Sequence, residues 1–258
     1  QENGMNREID LSFACYGYVK ELVYDLAILP WGAIEPHNLH LPYLTDCILS
    51  HDIAVDAALK AWERYGVRCM VMPFVSMGSQ NPGQRELPFC VHSRYETQKA
   101  ILTDVVSSLY TQGMRRLVIV NGHGGNSFKN MIRDLSVDYP DFLIASSEWF
   151  RVLPVQDYFE CPGDHADEVE TSVMLHYHSE MVDMELAGNG KYTPFAINSL
   201  RTNVAWIPRN WQKVSTDTGI GNPQSATANK GKRFAEAISE RYAQLFKELV
   251  RDELYQSI

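Results

Sequence analysis

Long apolar runs and paired cysteines are both missing from this sequence. No stretch approaches the roughly 20 consecutive apolar residues that a membrane-spanning helix needs, so we expect no membrane partner. The 5 cysteines among 258 residues are odd in number and form no C-x-x-C pair. This pattern argues against a disulfide framework and against a thiolate zinc site, and it favours a cytoplasmic protein.

Positive charge is also scarce. The chain has 23 Lys and Arg against 32 Asp and Glu, which gives a net charge of -9. Such a surface repels phosphate backbones, so we expect a small-molecule partner and no nucleic acid. Residues 1–13 lack the basic-then-apolar pattern of a secretory signal, which again favours the cytoplasm.

Strand-like and helix-like segments alternate along the chain, which predicts one α/β domain over residues 1–258. Such alternation is typical of a central, mostly parallel sheet flanked by helices, in which ligands gather at the carboxyl ends of the strands. Residues 180–225 are rich in turns and receive no assignment. The predicted strands are 25–32, 67–75, 115–122 and 142–150, and the predicted helices are 45–66, 94–112, a segment from about 127, 166–178 and 226–255.

The first cluster of polar residues follows the strand at 25–32. The segment WGAIEPHNLHLPYLTD, residues 31–46, contains Glu35, His37, His40 and Asp46. Glu35 and His37 are two residues apart, so on an extended chain they share one side and could reach neighbouring metal ions. A solvated loop is the alternative for this pair, and an electrostatic role at a helix N-terminus is the alternative for Asp46.

The second cluster, NGHGGNS at residues 121–127, directly follows a predicted strand. Glycines surround His123, so the backbone can approach a metal ion or a substrate oxyanion closely. We therefore predict that Gly124 and Gly125 contribute to substrate binding. A glycine-rich turn with an incidental histidine is the alternative. A phosphate-binding loop is disfavoured, because the pattern G-x-x-x-x-G-K-S/T is absent.

The third cluster, GDHADEVETS at residues 163–172, stands where a helix is predicted to begin. Acidic residues are common at helix N-termini for electrostatic reasons, so one or two of them could serve only as caps. This cluster holds more ionisable groups than capping needs, namely His165, Asp167, Glu168 and Glu170. The other histidines lack such company and are expected in packing or surface positions; they are His51, His92, His176 and His178.

Together the three clusters resemble the motifs of the creatininase family. LPWGAIEPHNLHLPYLTD is similar to the family pattern in which E-x-H is followed by HLP and an Asp. NGHGGN is similar to the central histidine loop, HADEVETS to the third motif, and GIGNPQSATANKG to the glycine-rich segment before the final helix. The resemblance covers about residues 28–250. It implies a single α/β domain, a homo-oligomer that is commonly a hexamer, and a small-molecule amide substrate.

The resemblance also implies a site with two divalent metal ions, zinc or manganese. Glu35 and His123 would bind one ion and His37 the other, while Asp46 would bridge the two. Nitrogen and oxygen ligands without thiolate suit zinc and manganese equally, so the identity of the metal stays open.

Four further assignments follow from the resemblance and from one departure. His165 matches the family's proton-transfer histidine, and Trp149 matches an aromatic position near the substrate. Creatinine-hydrolysing members have a metal-binding Glu where this chain has Gly125. We therefore predict that Glu168 replaces that ligand. Glu170 then joins His165 among the catalytic groups, where it would orient a histidine through the free ring nitrogen.

These features predict a metal-dependent amidohydrolase that cleaves a C–N bond with water activated at a dinuclear site. Creatinine, another cyclic amide and a formamide all stay open as substrates, since the chain also lacks the tryptophan that creatinine-hydrolysing members carry shortly before the third motif. The alternatives are a dinuclear phosphoesterase, a single-metal hydrolase, and a non-catalytic binding protein that keeps the fold.

Overall fold

Four parallel strands form one sheet in the computed structural model, which describes residues 2–257 and the side chains of residues 6–257. The strands are β1 (Leu26–Trp31), β2 (Cys69–Val71), β3 (Arg116–Asn121) and β4 (Leu143–Glu148). Their order across the sheet is β2-β1-β3-β4, and every neighbouring pair is parallel. The carboxyl ends of all four strands therefore meet at one edge of the sheet.

Within the described residues, helices pack on both faces of this sheet and connect its strands. They are α1 (Glu2–Ile9), α2 (Tyr16–Val19), α3 (Thr45–Tyr65), α4 (Tyr95–Thr111), α5 (Lys129–Asp138), α6 (Glu168–His178), α7 (Asn198–Arg201), α8 (Trp211–Val214) and α9 (Ala228–Arg251). Short 3-10 helices occupy Trp149–Arg151, Val155–Asp157, Ser179–Met181 and Met184–Leu186. Between residues 2 and 257, no helix combines the length and the apolar character that crossing a bilayer requires.

The sheet buries an apolar cluster on each face, and the alternation of side chains along β1 shows how. Leu26 and Ile28 point to the face covered by α3, α6 and α9. Leu29 and Trp31 point to the opposite face, covered by α4 and α5. Because both faces of the central strands are buried, β1 and β3 have continuous apolar sequences instead of an alternating pattern.

The predicted single α/β domain with a parallel sheet is confirmed. Strand β2 is shorter than the predicted 67–75, since Pro73 has no N–H to give to the ladder. The chain still follows β1 beyond that point, because the N–H of Val75 donates to the carbonyl of Pro30. Residues 180–225 contain only short helices, in agreement with their turn-rich composition.

The fold brings the three sequence clusters to the carboxyl edge of the sheet. The first cluster leaves β1 at Trp31 and leads into α3, and the second leaves the neighbouring strand β3 at Asn121. The third precedes α6 and is fixed by a two-way backbone pairing between His165 and Ile220, with N···O distances of 3.0 and 2.8 Å. Residues far apart in the chain therefore share one site.

Candidate metal centre

Six ionisable side chains converge beneath the surface at this edge. They are Glu35, His37, Asp46, His123, His165 and Glu170. The first three are almost inaccessible, with relative exposures of 1%, 0% and 2%. Such a concentration of charge in the interior requires compensating partners, because an unpaired ion is costly to bury.

His37 is held by the backbone of its own loop. Its Nδ1–H donates to the carbonyl oxygen of Glu35 at 3.0 Å, so the other ring nitrogen points into the cluster. Nε2 lies 2.8 Å from Oδ1 of Asp46 and 3.5 Å from Oε2 of Glu170. Two residues of the first motif and one of the third therefore share one small volume.

The glycine-rich loop after β3 fixes His123 in the same manner. Its Nε2–H donates to the carbonyl oxygen of Ser79 at 2.6 Å, while Nδ1 lies 2.9 Å from Oε1 of Glu35 and 3.1 Å from Oδ2 of Asp46. A Cβ atom on Gly125 would stand 2.4 Å from that carbonyl oxygen and 2.6 Å from Nε2 of His123. Any side chain at Gly125 would therefore disrupt the bond that orients His123.

Asp46 is the residue that joins the two halves of the cluster. One group of ligand-type atoms consists of Glu35, Asp46 and His123, and a second consists of His37, Asp46 and Glu170. Oδ1 of Asp46 faces the second group and Oδ2 faces the first. Asp46 is also in the first turn of α3, but its side-chain contacts go to the histidines, so its role exceeds that of a helix-terminal charge.

The pKa values in the cluster reflect the crowding of carboxylates. Burial lowers the pKa of His37, but Asp46, Glu170 and Glu35 outweigh burial and raise that pKa to about 10. His123 likewise has a pKa well above its usual value, because Glu35 and Asp46 outweigh burial. Burial raises the pKa of Asp46, yet the two histidines hold it well below the usual range. The carboxylates thus require positive charge at the histidine nitrogens or between them.

His165 is the sixth member of the cluster and lies next to Glu35 and His37. Its Nε2–H donates to the carbonyl oxygen of Pro36 at 2.9 Å, and Nδ1 lies 3.8 Å from Oε1 of Glu35. The ring packs on His37 with centroids 4.4 Å apart and meets Trp211 edge-on at 5.4 Å. Burial, together with the neighbouring His37, lowers the pKa of His165 against the opposing effect of Glu35.

The donor set fits divalent cations. His37, His123 and His165 each donate one ring N–H to a main-chain carbonyl, which leaves the other nitrogen free toward the carboxylates. This arrangement fixes the tautomer and is usual for histidines that bind metal. Oε1 of Glu35 is buried and accepts no hydrogen bond of good geometry, although it lies 2.9 Å from His123 Nδ1. Oxygen and nitrogen donors of this kind suit zinc or manganese.

Glu168 does not lie in the cluster, whereas Glu170 does, so the geometry favours Glu170 as the candidate ligand and the choice between the two stays a prediction. Residues two apart on a helix lie about 200° apart around its axis, so these two side chains leave α6 on opposite sides. The Glu168 carboxylate is fully buried, lies 2.8 Å from Nζ of Lys230 and accepts the N–H of Cys161. Asp167 is the helix cap and accepts the N–H of Glu170.

Trp149 lies in the apolar core beside the turn at Gly122, and its position near a substrate stays a prediction. The indole has no exposed surface and packs edge-on against Phe150 and Phe234 in the core. A Cβ atom on Gly122 would stand 3.0 Å from its Nε1, so the indole supports the turn that carries the central histidine. Gly124 is exposed with open space beside it, and its substrate role, like that of Gly125, stays a prediction.

Several residues that hold the cluster in place were not predicted. Gln84 donates from Nε2 to Oε2 of Glu35 at 3.0 Å. Asn126 accepts the N–H of Ser79 and donates to the carbonyl of Gly32, so it links the ends of two strands to the loop that fixes His123. Asn126 belongs to the NGHGGN motif and could have been noticed. No local pattern indicated Ser79 or Gln84. His40 bonds Thr171 instead and lies outside the ligand set.

Comparison with known proteins identifies the family of this chain. A family model described as creatininase, creatinine amidohydrolase, matches residues 19–246. The chain belongs to the creatininase family. A solved structure from Bacteroides fragilis NCTC 9343, of a protein provisionally described as a creatinine amidohydrolase, is 62% identical and has a TM-score of 0.96 over 98% of this chain and 100% of that one. The resemblance inferred from the three motifs is confirmed.

More distant relatives include a peptidase and creatininases solved with different metals. The mycofactocin precursor peptide peptidase of Mycobacterium tuberculosis is 28% identical over 229 residues, which are 82% of this chain and 80% of the relative. Creatininase structures in a mutant zinc–zinc form and in a manganese form are 20% and 21% identical, with TM-scores of 0.74 and 0.75. They cover 94% and 95% of this chain, and 98% and 99% of their own. The creatininase family is one of hydrolases that act on C–N bonds, as expected from the sequence.

Glu168 and Glu170 leave α6 on opposite sides, so replacing each of them with Gln should affect metal binding differently. Glu170→Gln should lower the amount of bound metal per chain, because the group around His37 loses a carboxylate. Glu168→Gln should leave the metal content unchanged and lower only the melting temperature, since it weakens a partly buried ion pair with Lys230. Elemental analysis and thermal unfolding of the two variants measure both effects. Metal loss in Glu168→Gln alone would contradict the geometry.

Proposed function

We propose that this creatininase-family chain binds two divalent cations through the cluster and hydrolyses an amide C–N bond there. The observation that carries the proposal is the position of Asp46, whose two oxygens face two separate groups of ligand-type atoms. Glu35, Asp46 and His123 would hold one ion, and His37, Asp46 and Glu170 the other. The zinc–zinc and manganese forms of creatininase support a choice between those two metals.

When bound, such ions lower the pKa of water and polarise a carbonyl oxygen, which are the two requirements of amide hydrolysis at neutral pH. The chain's own residues prepare the site for this chemistry. The carbonyls of Glu35 and Ser79 keep His37 and His123 in the tautomers that leave the inward nitrogens unprotonated once a cation is present. The burial of these groups excludes bulk water, so the charges act at low dielectric.

His165 is placed to move the proton that amide cleavage needs. Its Nε2–H is committed to the carbonyl of Pro36, so Nδ1 is the ring nitrogen that can take up or release a proton beside Glu35. An amine anion is a poor leaving group, and a proton delivered from Nδ1 to the departing nitrogen removes that barrier. The contact with Trp211 limits rotation of the ring.

The charges around the cluster favour an amide as the substrate over a phosphate ester. Among the described residues, no lysine or arginine forms an ion pair with the six clustered side chains. Phosphoryl transfer normally needs such cations to bind the transferred group. Cyclic amides, formamides and short peptides all agree with the site, and the peptidase relative supports the last of these.

Two wider aspects also belong to this proposal. We expect a reducing compartment such as the cytoplasm, because all five cysteines, which lie in the described part of the chain, are free thiols. We expect a homo-oligomer, as the resemblance implies. The exposed apolar side chains of Val204 and Trp206, with relative exposures of 78% and 80%, are suited to a subunit contact.

A substrate panel on metal-reconstituted protein tests the proposal. The panel contains creatinine, a second cyclic amide, a formamide, a short peptide and a phosphate monoester. We expect hydrolysis of at least one C–N substrate that disappears on treatment with a chelator and returns with zinc or manganese. Turnover of the phosphate ester alone would support the phosphoesterase alternative. Metal binding without any turnover would support a binding protein that keeps the fold.

His165→Ala should separate proton transfer from metal binding. We expect kcat to fall by about 10²- to 10⁴-fold, the usual contribution of a general acid or base, with the metal content unchanged. The matched control is His178→Ala, because His178 pairs with Asp52 outside the cluster and should leave kcat as it is. A loss of metal in His165→Ala would show that this histidine is a ligand.

A further inference from the structure

Gln84 occupies the one side of Glu35 that the metal cluster does not use. Its Nε2 donates to Oε2 of Glu35 at 3.0 Å, and both residues are buried, with exposures of 2% and 1%. Oε1, the other oxygen of Glu35, faces the cluster and lies 2.9 Å from Nδ1 of His123. The two oxygens of this carboxylate therefore have different partners.

The orientation of the Gln84 amide is determined by a second hydrogen bond. Its Oε1 accepts the backbone N–H of Asn81 at 2.7 Å. A backbone N–H can only donate, so the oxygen must face Asn81 and the NH₂ group must face Glu35. An amide fixed at both ends, in a buried site, cannot rotate without losing a hydrogen bond.

The loop that carries Gln84 also carries the carbonyl that orients His123. Ser79 accepts from Nε2 of His123, and Gln84 binds Glu35 five residues later. The N–H of Trp211 donates to the carbonyl of Pro82 at 2.7 Å, which fixes the middle of this loop to α8. Loop 79–84 thus holds two members of one ligand group from outside all three family motifs.

We infer that Gln84 is a positioning residue for metal binding, which presents a single oxygen of Glu35 to the cation shared with Asp46 and His123. This inference rests on the proposed function. Without the amide donor, Oε2 would be a buried carboxylate oxygen with no partner, and the carboxylate would turn to satisfy it. Oε1 would then no longer be fixed toward His123, and the cation would lose part of the preorganisation of its ligands.

Gln84→Met tests this inference, because methionine has nearly the same volume but no donor. Loss of a partner that orients a ligand typically weakens metal binding by about 10- to 100-fold, so we expect the Kd for zinc to rise by that factor. We also expect the absorption bands of bound Co²⁺ to shift, since the geometry at Glu35 changes. Chelator competition gives the zinc Kd, and thermal unfolding of the metal-free protein gives stability. Gln84→Asn keeps an amide one methylene shorter and should act in the same direction if the Met variant fails to fold.

The matched control is Gln212→Met, an exposed glutamine that follows Trp211 and should alter neither the zinc Kd nor the Co²⁺ spectrum. A lower melting temperature with a zinc Kd within about twofold of wild type, and with the Co²⁺ spectrum unchanged, would overturn the inference and leave Gln84 a purely structural role. A zinc titration of the wild-type chain separates a failure of the proposed function from a failure of the role of Gln84. A wild-type chain that binds no divalent cation contradicts the proposed function itself, whereas an unaffected variant in a metal-binding chain contradicts the role of Gln84 alone.

Discussion

The repulsion among three buried carboxylates is the constraint on which the rest of the site depends. Oxygens of Glu35, Asp46 and Glu170 lie 3.8, 2.8 and 3.5 Å from His37 Nε2, and within the described chain these three carboxylates form ion pairs only with histidines. Buried anions at such distances cannot all stay ionised unless positive charge lies between them. The raised pKa values of His37, His123 and Glu170 reflect the same repulsion, since a proton on any of these groups relieves it.

The surrounding structure keeps the repelling groups in place. Main-chain carbonyls hold the outer N–H of each histidine, and Gln84 holds the outer oxygen of Glu35. Gly125 has no room for a side chain, because the hydrogen-bonded atoms of His123 and Ser79 occupy the space that a Cβ atom would need. The same fact explains why a Glu ligand cannot be accommodated at Gly125 in this arrangement, and Glu170 of α6 supplies a carboxylate from another direction. The parallel sheet contributes by ending β1 and β3 side by side.

Most of the fold and much of the site could be read from the sequence because local patterns determine them. Apolar runs identified the central strands, and Glu35, His37, Asp46 and His123 stood in short motifs at strand ends. The choice between Glu168 and Glu170 could not be read from the sequence, because it depends on which face of α6 meets Lys230, a residue in the last helix. The burial of Trp149 could not be foreseen for a similar reason, since it depends on packing against Phe234. Gln84 acts through one tertiary hydrogen bond and has no local signature.

Anomalous diffraction from crystals grown with zinc would show whether two cations bind in the cluster and whether Asp46 contacts both. We expect two peaks at the carboxyl edge of the sheet, each within about 2.0–2.2 Å of its oxygen and nitrogen ligands. One peak should lie among Glu35, Asp46 and His123, and the other among His37, Asp46 and Glu170. A cluster without any peak, or a single peak that Asp46 does not contact, would contradict the account.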